Sequence, residues 1–207
     1  MIVDDHAIVR EGLKQILADT NDIVVIGEAE NGLEAIKLAR TQEADIMLLD
    51  ITMPDKNGIE VLKQIHKERQ KLSILMLSMH REDQYAIRAL KAGAVGYLNK
   101  QSAPNELVKA IRQVAAGNKY ISPALAQELA HHVTANSEKM PHESLSDREF
   151  QTLLMIAGGK SVSDIAAELS LSVKTVSEYR SRLLSKMSLK NNAELMHYAI
   201  RHKLVVE

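Results

Sequence analysis

The stretch that decides the fold is Ile46-Met47-Leu48-Leu49-Asp50-Ile51-Thr52-Met53-Pro54. Four apolar residues run without polar alternation, as in a strand covered on both faces, and a carboxylate stops the run. Helical periodicity lies on either side, over about 32–40 and 57–69. Working outward, comparable apolar runs occur at Ile23–Ile26, Ile74–Leu77 and Val95–Leu98. Helical patterns separate them at about 7–18, 82–92 and 104–116, the last opened by Pro104 in its first turn. With Met1-Ile2-Val3 as a first strand, five strands each precede a helix, which predicts a doubly wound parallel five-stranded sheet. Strands usually need ~5 residues, so the natural chain is expected to begin a few residues upstream of Met1.

After residue 118 the alternation stops. Pro123–Val133 reads as one amphipathic helix, and Thr134–Ser144 is polar and contains Pro141. Everything beyond is short helices. Ser146-Asp147-Arg148-Glu149 is a capping box opening a helix that stops at Gly158-Gly159. Ser161 precedes a second helix, Leu169–Ser172 is a turn, Val173–Met187 is a third helix and about 192–202 a fourth. The expected division is therefore an α/β domain over 1–118, a linker with a helix over 119–144, and an all-α domain over 145–207.

Composition narrows the chemistry. The 207 residues are 45% hydrophobic and 26% charged, ordinary for a globular protein. No cysteine is present, which excludes disulfides, Cys-type zinc fingers and thiol catalysis. No apolar run approaches the ~18 residues of a membrane span. The N-terminus resembles neither a signal nor a transit peptide, so a cytoplasmic location is expected. The net charge of −1 conceals an asymmetry: residues 145–207 hold nine Lys/Arg against seven Asp/Glu. Ser172–Lys190 concentrates five bases, Lys174, Arg180, Arg182, Lys186 and Lys190, against the single acid Glu178.

In an open parallel sheet, ligands bind beyond the strand ends where the strand order reverses. The predicted strands end in Asp4-Asp5, Asp50, Ser78 and, after the fifth, Lys100. Carboxylates converging from adjacent strands need a cation among them, and hard oxygen ligands suit Mg²⁺. A carboxylate in such a place can accept a phosphoryl group as a nucleophile, with Lys100 on one of its oxygens. Taken singly, each residue also has a plain structural use: Asp4-Asp5 as a helix cap, Lys100 as a surface charge, Tyr97 as core.

Together they resemble the receiver domain of bacterial response regulators. The likeness rests on Val3-Asp4-Asp5-His6, Leu48–Pro54 with Gly58, Ser78, and Gly96-Tyr97-Leu98-Asn99-Lys100. It implies Asp50 as phosphoacceptor and Mg²⁺ as cofactor, held by Asp5 and Asp50 directly, Asp4 through water and the Thr52 carbonyl. It further implies Lys100 on the phosphoryl group and Ser78 with Tyr97 as a switch pair. Gln101 stands where many receivers have proline after the lysine. His80, two residues past Ser78, would flank the phosphorylation site; none of His66, His80, His131, His132 and His142 is read as a metal ligand. A phosphatase resembling the haloacid dehalogenases would carry a second acid two residues after its nucleophile, and Thr52 stands there instead. A third reading keeps both domains and makes DNA binding independent of phosphate.

The helical part resembles the LuxR-type helix-turn-helix through Leu145–Glu149, Asp164–Leu169, Ser172–Ser177 and Tyr179–Met187. Its third helix would enter the DNA major groove. Lys174, Arg180, Arg182 and Lys186 would meet phosphates, Ser177, Glu178 and Ser181 would lie near bases, and Thr175 would also face the DNA. Charge alone would equally suit a solvated helix face. On the fourth helix, Leu195, Met196, Ala199 and Ile200 would either pair two copies on DNA or fill the domain's own core. A receiver joined to this domain is the NarL/FixJ architecture, with the ending most like the GacA/UvrY/EvgA group. The resemblance implies a transcription regulator of a two-component system rather than an enzyme. Its partners would be a histidine kinase, double-stranded DNA and a second copy of the chain, with RNA polymerase a further one.

Overall fold

The computed structural model describes residues 1–79, 82–134 and 140–205. The chain divides into two compact units, Met1–Val133 and Thr134–Glu207. His80 lies outside the described residues, as do 135–139 of the expected linker.

The first unit is a parallel sheet in the order β2-β1-β3-β4-β5. Its strands are β1 (Ile2–Val3), β2 (Glu28–Ala29), β3 (Ile46–Asp50), β4 (Ser73–Ser78) and β5 (Gly96–Asn99). The helices are α1 (Ala7–Ala18), α2 (Gly32–Thr41), α3 (Gly58–Glu68), α4 (Glu82–Lys91), α5 (Ala103–Ala115) and α6 (Pro123–Thr134). The strand order reverses between β1 and β3, so the crevice for a ligand falls beyond their ends.

β1 is as short as its sequence implies, and its shortness corrects the position of β2. Ile2 N–H donates to Gly27 O at 3.0 Å and Asp4 N–H to Ala29 O at 3.2 Å, so two residues pair with two. The strand expected at Ile23–Ile26 is therefore displaced to Glu28–Ala29. The apolar run before it packs instead of pairing, with Ile23 and Val25 against the core and Val24 and Ile26 exposed.

One face of the sheet buries Ile2, Leu48, Leu75, Leu77 and Leu98 against Leu13 and Leu17 of α1 and Leu107, Ala110, Ile111 and Val114 of α5. The α5 set has the i, i+3, i+4, i+7 spacing of an amphipathic helix. Tyr120 joins this core rather than lying in a free linker. Its N–H donates to Val95 O at 2.9 Å, and its hydroxyl donates to Glu106 Oε2 at 2.9 Å.

The second unit holds α7 (Asp147–Ala157), α8 (Val162–Glu168), α9 (Val173–Lys186) and α10 (Asn192–Arg201). The capping box at Ser146 is formed: Glu149 N–H donates to Ser146 Oγ at 3.3 Å and Ser146 N–H to Glu149 Oε2 at 2.8 Å. Phe150, Leu153, Ile165, Leu169, Val176, Leu183, Leu195 and Ala199 form its buried core. Ser170, in the turn before α9, has φ +53°, a left-handed conformation that reverses the chain between α8 and α9. No helix among the described residues is long and apolar enough to cross a membrane.

Candidate functional site: an acidic pocket at the strand ends and an exposed helix face

The pocket lies where β1 and β3 end side by side. Val3 pairs with Leu49, which brings Asp4 and Asp50 to adjacent strand ends. Asp4 is fully buried, and its Oδ1 accepts the His6 N–H at 3.0 Å. Asp50 is nearly as buried, and its Oδ1 accepts the Ile51 N–H at 2.8 Å. Lys100 reaches in after β5, its Nζ 2.6 Å from Asp4 Oδ2 and 3.0 Å from Asp50 Oδ2. The Lys100 N–H donates to Ser78 O at 2.8 Å, so the lysine is anchored to the end of β4.

The electrostatics follow from burial. Loss of water raises the Asp50 carboxyl most, Lys100 pulls it back and the Asp4 charge raises it again, leaving it pushed up to about 7. Burial works against the Lys100 charge too, but Asp50 and Asp4 outweigh it and hold the ammonium above its ordinary value. One cation thus serves two buried carboxylates, with Asp5 beside them and partly exposed. That donor set fits Mg²⁺: hard oxygens from two strand ends, one partly open so that water can complete the shell, and a buried carboxylate short of positive charge.

Sequence reasoning expects Asp4, Asp5 and Asp50 to converge on one metal. The structure differs in detail. Lys100 stands between Asp4 and Asp50, and the described residues whose donor atoms all lie within 4.8 Å of one another are Asp4, Asp5 and His6. Thr52 is half-buried in the loop that follows Asp50. Ser78 and Tyr97 are both fully buried. Met76 registers with Tyr97 and Ser78 with Asn99, so alternation sets Ser78 and Tyr97 on one sheet face, opposite Leu75, Leu77 and Leu98. Among the described residues no peptide bond is cis, Lys100–Gln101 included.

Several supporting residues went unread in the sequence. Arg10 Nη1 donates to Asp4 O at 2.7 Å and its Nε lies 3.4 Å from Glu28 Oε2, tying α1 to the ends of β1 and β2. An arginine one turn into a helix that follows paired acids is the signal. Asp55 accepts the N–H groups of Gly32 and Leu33, each at 2.9 Å, and so fastens the loop after Asp50 to the start of α2. Gly58, which the sequence motif does include, admits no side chain, since a Cβ there would lie 2.0 Å from Asp50 O.

The second feature is the outer face of α9. Ser172 caps the helix, its Oγ accepting the Thr175 N–H at 3.0 Å. Lys174, Glu178, Ser181, Arg182 and Ser185 are exposed on one face at helical spacing. Thr175, Ser177 and Arg180 are half-buried. Two of the expected bases are engaged within the unit. Arg180 Nε donates to Asn192 Oδ1 at 2.6 Å and Lys186 Nζ to Glu149 Oε2 at 2.7 Å. Glu178 stands 3.5 Å from Arg182 and partly offsets its charge. Of the four residues expected to pair two copies, Leu195 and Ala199 are wholly buried in the unit's own core, because α10 turns that stripe toward α7. Met196 and Ile200 remain exposed, at 37% and 40%.

Comparison with known proteins agrees with this two-part arrangement. The model of the response regulator receiver domain matches residues 1–112, and that of the luxR family of bacterial regulatory proteins matches residues 143–199. Response regulator UvrY of Escherichia coli K12 is 42% identical over 205 residues, covering 99% of this chain and 94% of that protein. Response regulator GacA of Pseudomonas aeruginosa is 39% identical over 206 residues, covering 99% and 96%. Among solved structures, RcsB from Salmonella enterica serovar Typhimurium, bound to promoter rprA with the phosphomimetic BeF3⁻, superimposes with a TM-score of 0.64 at 28% identity, covering 95% of each chain.

Proposed function

The chain belongs to the NarL/FixJ response regulators, which join a receiver to a LuxR-type DNA-binding domain, and from that premise we propose that Asp50 is its phosphoacceptor. As a member it is a DNA-binding regulator of transcription and not a catalytic enzyme. The observation that carries the proposal is the Lys100 ammonium shared between buried Asp4 and Asp50 at the strand-order reversal.

In this reading a carboxylate oxygen of Asp50 attacks the phosphorus of a phosphohistidine on a partner kinase, or of acetyl phosphate. The P–N or P–O bond breaks, and the imidazole or acetate leaves with the electron pair. Lys100 moves from its two carboxylates onto a phosphoryl oxygen. Asp5, Asp50 and the Thr52 carbonyl would hold Mg²⁺, and Asp4 would act through water. Bound there, the ion neutralises charge on the phosphoryl oxygens. The Ser78 hydroxyl turns to the new phosphoryl group and Tyr97 follows it; their common sheet face supports the pairing.

The receiver function is assigned to 1–118 and the DNA-binding function to 145–207, with the connection in 119–144, whose first part, from Tyr120 on, packs with the receiver unit. Lys174 and Arg182 take phosphates while Glu178 and Ser181 lie near bases, supported by their exposure on one face of α9. Thr175, Ser177, Arg180 and Lys186 act at its edges. A second copy pairs through Met196 and Ile200, and the protein works in the cytoplasm with its kinase and RNA polymerase.

The test is an intact-mass spectrum after incubation with acetyl phosphate and Mg²⁺. One phosphoryl adduct is expected on the native chain, lost in Asp50→Asn and after chelation. An adduct that persists in Asp50→Asn contradicts the assignment.

A further inference from the structure

We infer that Asp55 is a positioning residue for the acidic pocket: it clasps the β3–α3 loop to α2 and so orders that loop for Mg²⁺ in advance. This rests on the reading of the pocket as a metal site with the Thr52 carbonyl among its ligands. Thr52 lies in the loop between Asp50 and Asp55.

The base of the loop is held by its own backbone. Gly58 N–H donates to Ile51 O at 2.8 Å, and the buried Asn57 caps α3, its Oδ1 accepting the Ile59 N–H at 2.9 Å. Asp55 ties the outer part of the loop to a different element. Its two oxygens accept the Gly32 and Leu33 N–H groups, each at 2.9 Å, across 23 and 22 residues of chain. The first N–H groups of a helix lack partners within it. In α2 the local cap Asn31 takes the Glu34 N–H at 2.9 Å, and Asp55 takes the two before it from outside the helix.

A second observation is independent of hydrogen bonding. A Cβ at Gly32 would lie 2.9 Å from Lys56 Cβ and 2.7 Å from Val61 Cγ2, so the start of α2 is pressed against both the loop and α3. Burial raises the Asp55 carboxyl, but the Gly32 and Leu33 N–H groups outweigh it and hold it below its ordinary value. Both oxygens therefore accept at neutral pH.

The consequence falls on metal affinity. Groups that orient ligands from outside a site commonly set its affinity by 10–100-fold. With the loop clasped, its ordering accompanies folding and does not oppose binding of the ion.

The test is calorimetric titration of the full chain with Mg²⁺. Asp55→Ala should raise the Mg²⁺ dissociation constant by roughly tenfold. It should likewise raise the Mg²⁺ concentration that half-saturates phosphorylation by acetyl phosphate, with the rate at saturating Mg²⁺ near native. Asp55→Asn carries the same expectation, because its amide sets an N–H₂ against a backbone N–H, and it serves where the alanine variant does not fold. Asn31→Ala controls for helix stability alone: it removes the local cap of α2, leaves the loop clasped, and should keep the native dissociation constant. Native affinity in a folded Asp55 variant, or an equal loss in Asn31→Ala, overturns the role of Asp55 while the metal site stands. If Asp5→Asn leaves Mg²⁺ binding untouched, the pocket is not the metal site, and the underlying reading falls together with this one.

Discussion

The acidic pocket and the outer face of α9 carry charge in opposite ways. In the pocket, Asp4, Asp50 and Lys100 are all nearly sealed from water, and one ammonium serves both carboxylates. On α9, Lys174, Glu178 and Arg182 stand in solvent, and the Glu178–Arg182 pair is more than half exposed on both sides. Breaking a buried pair costs about 3–5 kcal/mol, whereas an exposed one contributes about 0–1 kcal/mol. A change of one charge can therefore reorganise the pocket, while the helix face acts only through the sum of many weak contacts. Such a division suits a switch coupled to a polyelectrolyte-binding surface.

The largest expected effect is in the pocket. Lys100→Ala leaves two buried carboxylates without their shared cation and should destabilise the fold by about 3 kcal/mol at pH 8 in the absence of divalent metal. The Asp50 carboxyl already sits at about 7, above its unfolded value, so its ionisation weakens the fold progressively as pH rises from about 4 through 7. The penalty should therefore shrink at pH 6, where Asp50 takes up a proton. Urea melts at the two pH values check this, and a loss of equal size at both would count against the shared-cation account.

Gly58→Ala comes next. A methyl group 2.0 Å from Asp50 O forces the β3–α3 loop away, at an expected cost of about 2 kcal/mol with slower phosphorylation by acetyl phosphate.

On α9 the expected changes are small in stability and visible in salt. Lys174→Ala and Arg182→Ala should leave the melting temperature nearly unchanged. Each should weaken DNA binding across sequences and lower the salt-dependence slope by about one. Fluorescence anisotropy against salt concentration measures this, and an unchanged slope would remove the residue from the interface.

The smallest effect belongs to the Lys186–Glu149 pair. Burial raises the Glu149 carboxyl, but Lys186 and Ser146 outweigh it and hold it below its ordinary value. Its contribution is thus present above the unfolded value of about 4.3 and lost as pH falls through the lower folded value. Lys186 is 44% exposed, so Lys186→Ala should cost under about 1 kcal/mol at pH 7 and less at pH 3. Thermal melts at the two pH values read the difference.

What the sequence revealed follows the range of the forces involved. β3, β4 and β5 were legible because strands buried on both faces need uninterrupted apolar runs. The Ser146 box was legible because capping is local. β2 was misplaced because its position depends on pairing with a two-residue partner, a contact distant in sequence. On α10, hydrophobicity could not separate Leu195 and Ala199, which fill the core, from Met196 and Ile200, which face outward. Lys186 read as a phosphate contact because its partner Glu149 lies 37 residues away in the chain. The strand-end acids could be named from the sequence, but the sharing of Lys100 between two of them depends on three strands meeting.

With Asp50 as phosphoacceptor, we propose that its phosphorylation controls the DNA affinity of the second unit. The most direct measurement is DNA affinity before and after acetyl phosphate with Mg²⁺, for the native chain and Asp50→Asn, on fragments the native chain selects from a random-sequence pool. The account expects the native affinity to shift at least fivefold on phosphorylation and the Asp50→Asn affinity to stay constant. Equal responses of the two proteins would contradict it.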